Sequence, residues 1–256
     1  MHRWCGEVRR TYREAAVTAR VTTLKGVDAG AYYVEALPSY YLDADEPPGR
    51  WHGRGADMLG LRGDIRDEEL LDLMAGVRPG SRGVLLGRPY GESSVRGFDI
   101  TANAPKSVSV LFAVGDDFVR HEALASHDAA VAAMVRWIEA HAHTRFRING
   151  EVAVVDAEGT VAAAFRQHTS RALDPHLHTQ VVVAPRVRSP DGRWLALDAR
   201  TLQLDPRTLS AIVHATLRPE LTVRLGAHWE PVVNGIAEID GIDKTVLEEF
   251  SSRTAD

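Results

Sequence analysis

Two stretches, TVAAAFRQHTS (160–170) and LHTQVVVAPRV (177–187), decide how the chain reads. Both are rich in β-branched and small apolar residues, and they flank a polar loop containing Asp174 and Pro175, so they are expected to form neighbouring strands. Alternate side chains of an extended strand share a face, which turns His176, His178 and Gln180 the same way. Polar groups on one face of an apolar strand need partners. A single buried imidazole usually finds them in ordinary hydrogen bonds. Histidines at i and i+2, with Gln167 or His168 on the preceding strand as a third group, favour a metal site instead. His168 joins that face only if a β-bulge turns it inward, because adjacent strand residues point to opposite faces. Mixed oxygen and nitrogen donors suit one divalent ion, magnesium, manganese or zinc.

Working outward, EVAVVDA (151–157) and RWLALD (193–198), the latter after a Pro-Asp-Gly turn at 190–192, are expected to join the same sheet. VTTLKGV (21–27) reads as the first strand. FDITANAPKSVSVLFAV (98–114) reads as two strand pieces broken at Ala104-Pro105, since proline cannot donate to a ladder. Apolar residues at helical spacing, among them Leu124, Val131, Met134, Val135 and Ile138, predict one long helix over 119–145. A second long helix is expected over 205–225, with short ones at 67–75 and 244–252. The fold class is α+β: a central antiparallel sheet with helices packed on its faces.

At 256 residues and 45% apolar composition the chain can bury a substantial core. Cys5 is the one cysteine, so no intramolecular disulfide is possible, and no apolar run approaches the roughly 18 residues that would span a bilayer. MHRWCGEVRRTYREAA lacks the apolar core of a secretory signal, and a cytoplasmic protein is expected. Residues 1–20 carry no apolar period and are expected to be a flexible extension, with one domain over 21–256. The net charge of −5 argues against nucleic-acid binding over the whole surface. Arg50, Arg54, Arg62, Arg66, Arg78, Arg82, Arg88 and Arg96 nevertheless fall in one stretch and could form a local basic surface.

Ahead of that stretch stand two tyrosine pairs, Tyr32-Tyr33 and Tyr40-Tyr41. A phenol can attack a phosphodiester and keep the bond energy in a covalent phosphotyrosine, but its pKa near 10 is an obstacle. A divalent cation on the scissile phosphate offsets this by neutralising its charge and aligning it for in-line attack. By themselves such pairs are as readily aromatic packing.

The blocks YY…YY, RWHGRGADMLGL, GFDITANAPKSVSVLFAVG, TSRALDPHLHTQVVV and DGRWLALD together, in this order, resemble the relaxase domain of the TrwC/TraI-like (MobF) class of conjugative relaxases, within the HUH endonuclease superfamily. The resemblance runs from about Val21 to Thr254. It implies an HUH/Rep-like sheet of ferredoxin-like palm type. It also implies site- and strand-specific nicking of single-stranded DNA at an origin-of-transfer hairpin, metal-assisted, through a 5′-phosphotyrosine, with relaxosome accessory and coupling proteins as further partners. The first tyrosine of each pair is the usual actor in that class, which points to Tyr32 for cleavage and Tyr40 for a second transfer, with Tyr33 and Tyr41 as alternates. Asp99 matches an aspartate that assists the site. Lys106 and Arg171 resemble phosphate contacts, Arg54 lies in the same glycine-rich block as Trp51, and Trp51 is a candidate to stack on an unpaired base or to anchor its loop.

The sequence departs from the class pattern of three metal histidines. The H-T-H step reads His178-Thr179-Gln180, and Gln167 stands where the first histidine is expected. The expected site is His178, Gln180 and Gln167 or His168, with His176-Leu177-His178 as a shifted alternative. A non-cleaving DNA-binding remnant with a degenerate metal site is the competing reading, and a hydrolase of small substrates a third. Relaxases of this class usually continue into a helicase; no G-x-x-x-x-G-K-[ST] motif occurs in these residues, so no ATPase activity is expected of them.

Overall fold

The computed structural model describes residues 19–26, 33, 47–148, 150–170, 172–200 and 206–252. Its centre is a five-stranded antiparallel sheet of β1 (Ala19–Lys25), β2 (Arg50–His52), β3 (Val95–Asn103), β6 (Ala162–Thr169) and β7 (Pro175–Val183), in the order β1-β3-β7-β6-β2. Two hairpins stand outside it, β4 (His143–Ile148) with β5 (Glu151–Asp156), and β8 (Arg186–Arg188) with β9 (Trp194–Ala196). The helices are α1 (Arg54–Leu59), α2 (Asp67–Ala75), α3 (Lys106–Val114), α4 (Asp117–Ala140), α5 (Pro206–Leu225) and α6 (Lys244–Glu249). Among the described residues no helix is long and apolar enough to cross a membrane.

The period of two places the core on both faces of the sheet. Phe98, Ile100 and Ala102 of β3, Ala162 and Ala164 of β6, and Leu177, Val181 and Val183 of β7 pack on one face under α3, α4 and α5. The intervening residues Ala163 and Val182 meet Trp51, Leu59, Leu70, Leu73 and Met74 of the smaller layer around α1 and α2. Among the described residues that second layer packs on one end of its face, and the other end carries the polar residues of β3, β6 and β7.

The glycine-rich turn after β2 exists because two chain segments meet there. Gly53 has φ +93, and a Cβ on it would stand 2.4 Å from the Thr160 carbonyl oxygen; one on Gly55 would stand 2.6 Å from the same atom. Side chains are therefore excluded where the turn crosses the start of β6. Glu139 of α4 seals the crossing by accepting from the backbone N–H of Arg54 and of Thr160.

Several expectations are corrected. Residues 106–114 are helix α3, not a strand: Pro105 starts the helix, and Ser107, Val108, Ser109, Val110 and Phe112 are all buried, which erases the apolar period that marks a helix. The buried serines are satisfied individually, Ser109 Oγ accepting from Leu177 N–H of β7 and Ser107 Oγ from Ile239 N–H. The long helix ends at Ala140 and the chain turns into β4, whose T-R-F-R-I alternation is that of a strand. β5 and β9 pair within hairpins rather than in the central sheet, β1 and β3 take the expected places there, and β2 is a strand where a loop was expected. β1 starts at Ala19, within the residues expected to be an extension.

Candidate metal and tyrosine site

Registration across three strands assembles the site. Asn103 of β3, His178 of β7 and Gln167 of β6 are mutual cross-strand partners, and the next row on the same face is Thr101, Gln180 and Phe165. His178, Gln180 and Gln167 thus share one patch, the arrangement that directly opposed strand residues impose. Gln167 is 2% exposed and His178 5%.

The donor chemistry of the patch fits a divalent cation. His178 Nδ1 lies 2.8 Å from the His176 carbonyl oxygen, so Nδ1 carries the proton and Nε2 keeps its lone pair for a ligand. Burial pushes the His178 pKa below its ordinary value, with the His176 carbonyl opposing, and the ring is neutral at neutral pH. The side-chain oxygens of Gln167 and Gln180 are buried and accept no hydrogen bond from the described residues. An orphaned amide oxygen facing a free imidazole lone pair is costly unless something electropositive joins them. The His176 ring lies 4.5 Å from that of His178, centroid to centroid, on the same face, which leaves it as an alternative donor. Among the described residues no cluster of three His, Cys, Asp or Glu forms a site of the usual kind.

His168 is corrected as a candidate ligand. The strand pairing does slip between Gln167 and Thr169, but the extra residue lies on β7, and His168 keeps the alternation that puts it on the helical face, its ring 4.8 Å from that of Phe112 in α3. Gln167 is the residue that faces His178.

Asp99 lies further along β3 on the polar face, opposite Val182. Burial raises its pKa, and the Tyr33 hydroxyl and the Arg20 guanidinium beside it pull in the other direction. Tyr33 is 3% exposed and stacks on Phe165, ring centroids 5.6 Å apart. It is therefore a packed member of its pair. Tyr32, Tyr40, Tyr41 and Arg171 lie outside the described residues.

The other expected DNA contacts fare unevenly. Trp51 is 8% exposed, and its indole N–H donates to Glu69 at 3.2 Å, so it anchors the second layer and has no free face for a base. Lys106 Nζ donates to the Pro175 carbonyl at 2.9 Å, tying α3 to the start of β7. Arg54 is exposed at the start of α1. The expected basic surface is thinned by ion pairs, Arg50 with Asp64, Arg62 with Asp57 and Arg66 with Glu69. Sequence reading missed Asn103 and Thr101, although both follow Asp99 at even spacing on one strand face, and missed His127 of α4, whose Nε2 lies 2.9 Å from Thr179 Oγ1 directly behind the ligand strand.

Comparison with known proteins agrees with this geometry. The model of the TrwC relaxase family matches residues 11–256. The multifunctional conjugation protein TraI of Escherichia coli is 35% identical over 236 residues, covering 88% of this chain and 13% of TraI, so the chain spans about an eighth of that relative's length. TraI of Escherichia coli strain K12 is 34% identical over 171 residues, covering 67% of this chain and 9% of the relative. Among solved structures, the conjugative relaxase TrwC in complex with oriT DNA in its metal-bound form superposes with a TM-score of 0.80 at 32% identity, covering 93% of this chain and 80% of that one. TrwC with a 27-mer DNA comprising the recognition hairpin and the cleavage site gives a TM-score of 0.78 at 31% identity, with the same coverage. A family match over nearly the whole chain, on a sheet that brings His178, Gln180 and Gln167 to one face, shows that the chain belongs to the TrwC relaxase family.

Proposed function

We propose that this chain is the nicking domain of a conjugative relaxase, a metal-assisted transesterase that cuts one strand of an origin of transfer. The observation that carries this reading is the buried patch of His178 Nε2 with the orphaned amide oxygens of Gln167 and Gln180 on the polar end of the sheet face. These three residues would hold one divalent ion, which when bound neutralises the non-bridging oxygens of the scissile phosphate. With two oxygen donors to one nitrogen, the site favours magnesium or manganese over copper and zinc.

The nucleophile is assigned to Tyr32. Tyr33 is packed against Phe165 with its hydroxyl beside Asp99, which leaves the other member of the pair for the chemistry. In the reaction the Tyr32 phenolic oxygen bonds to phosphorus, the P–O3′ bond breaks, and the 3′ oxygen leaves and takes up a proton. The phenolic proton passes to a base, for which Asp99 is the assigned carboxylate. The strand end stays linked through its 5′ phosphate, ready for a 3′ hydroxyl to reverse the step, with Tyr40 assigned to a second transfer.

The test uses labelled single-stranded oligonucleotides tiled across the origin region, with manganese or magnesium, on a denaturing gel. A protein–DNA adduct is expected, lost in Tyr32→Phe. Binding without an adduct under any divalent metal would establish instead a DNA-binding remnant with a degenerate metal site.

A further inference from the structure

At the opposite end of the sheet two arginines are buried without a carboxylate. Arg96 of β3 is 7% exposed and Arg186 of β8 9%. Both guanidinium groups stand 4.8 Å from the centroid of the Tyr90 ring. Their hydrogen bonds run to neutral main-chain oxygens, Arg96 to Met74 and Gly91, Arg186 to Arg88. The Nε of each is buried with no acceptor, and among the described residues neither arginine pairs with an Asp or Glu. Tyr90 does not supply the missing charge, because burial pushes its phenol up and keeps it neutral. Buried guanidinium ions are normally paired, since carbonyl dipoles replace only part of their hydration.

Arg186 lines a pocket of about 510 Å³ whose wall also includes Arg88, Tyr90 and Ser94. Arg88 is exposed at its rim. Ser94 Oγ accepts from Gly91 N–H, which leaves its own proton free to donate inward. Arg88, Arg186 and Ser94 line one cavity, and guanidinium and hydroxyl donors are the groups that match the oxygens of a phosphate. We propose that this pocket is a phosphate-binding site, gripped by Arg186 and Arg88, with Arg96 adding its charge across Tyr90. It is separate from the metal patch: β3 runs from Asn103, beside His178, to Val95 on the pocket wall, eight residue steps or roughly 26 Å. The phosphate is either a free anion or a diester of a nucleic-acid backbone, and the site does not depend on the nicking reading.

Two measurements on the intact chain test this. Thermal unfolding is followed in inorganic phosphate and in chloride at matched ionic strength, for the wild type, Arg88→Gln and Arg186→Gln. Because phosphate stabilises proteins generally, the readout is the difference between proteins. The wild-type midpoint should climb with phosphate by several degrees more than either variant's. An equal rise in all three overturns the site, and if Arg186→Gln does not fold, the exposed Arg88→Gln carries the comparison. The second measurement is the salt dependence of oligonucleotide binding by anisotropy. A slope of log K against log salt that is about 0.7–0.9 shallower in Arg88→Gln identifies a backbone phosphate as the source. An unchanged slope together with specific phosphate stabilisation identifies a free anion. Neither effect overturns the proposal.

Discussion

Gln167 and His178 face one another directly across the β6–β7 ladder, both buried, on the sheet face that also carries Ala163 and Val182 of the second layer. A strand pair holds such partners at fixed separation, so changing one donor alters the metal chemistry with little change in the scaffold. Gln167→His and Gln180→His should each tighten binding of copper, nickel or zinc by about tenfold or more, equivalent to about 1.4 kcal/mol, while Gln180→Ala should weaken manganese binding by a similar factor. Calorimetric titration with each ion measures this without any DNA. Unchanged affinities in all three variants would mean that the amides are not ligands.

Trp51 tests whether the glycine-rich block is structural. Its indole is buried in the second layer and bonded to Glu69, so Trp51→Ala should cost about 3–5 kcal/mol of stability in urea unfolding. A direct base-stacking role predicts instead a loss of about 1–3 kcal/mol in oligonucleotide affinity with stability intact. Measuring both quantities on one preparation separates the two.

The reach of the sequence can be judged from these same residues. The shared face of His178, Gln180 and Gln167 was legible, because strand period and two runs of β-branched residues fix it without further information. The exclusion of His168 was not, since it depends on which of the two strands carries the one-residue slip and on Phe112, more than fifty residues away. Helix α3 was misread because a helix buried on every side shows no period, and its K-S-V-S-V start imitates a strand. β5 and β9 were assigned to the central sheet because local pattern marks a strand but not its partner. Trp51 and Arg186 were opaque for the same reason: a hydrogen bond to Glu69 and a place beside Tyr90 are made by the fold.

Acid sensitivity follows from histidines that fold neutral. Burial holds His127 down at about 3 and His214 at about 4, against an ordinary value of 6.5. Below pH 6.5 the unfolded chain binds protons that the folded chain refuses, so stability is full above 6.5 and falls as pH drops toward those values. At pH 5 each contributes a loss of about 2 kcal/mol. Urea unfolding at pH 7.5 and 5.0 should show the decline, and His127→Gln should reduce it by about 2 kcal/mol. An identical decline in the variant would remove His127 as its source.

In the proposed reaction the tyrosine pair divides into a nucleophile, Tyr32, and an anchor, Tyr33. Tyr33 packs its ring on Phe165, and phenylalanine keeps that contact while removing only the hydroxyl beside Asp99. Tyr33→Phe should therefore retain adduct formation within about tenfold, whereas Tyr32→Phe should abolish it. The reverse result would transfer the nucleophile to Tyr33.

Asp99 supplies the most demanding test because its stability and its chemistry should move in opposite directions. Burial raises its pKa above the ordinary carboxylate value, against the pull of Tyr33 and Arg20. A carboxyl with a raised folded pKa favours the folded state at low pH, and that contribution is lost as pH climbs through the folded value. At neutral pH the ionised carboxylate is thus held at a cost to stability, and one of its oxygens has no hydrogen-bond partner among the described residues. Asp99→Asn removes the charge and keeps the shape, so at pH 7.5 its thermal midpoint should equal or exceed that of the wild type. If Asp99 accepts the phenolic proton, the same variant should form the DNA adduct at least about a hundredfold more slowly, the usual contribution of a positioned base. A variant less stable at pH 7.5 yet unimpaired in rate would make Asp99 a structural residue, bonded to Tyr33 and nothing more.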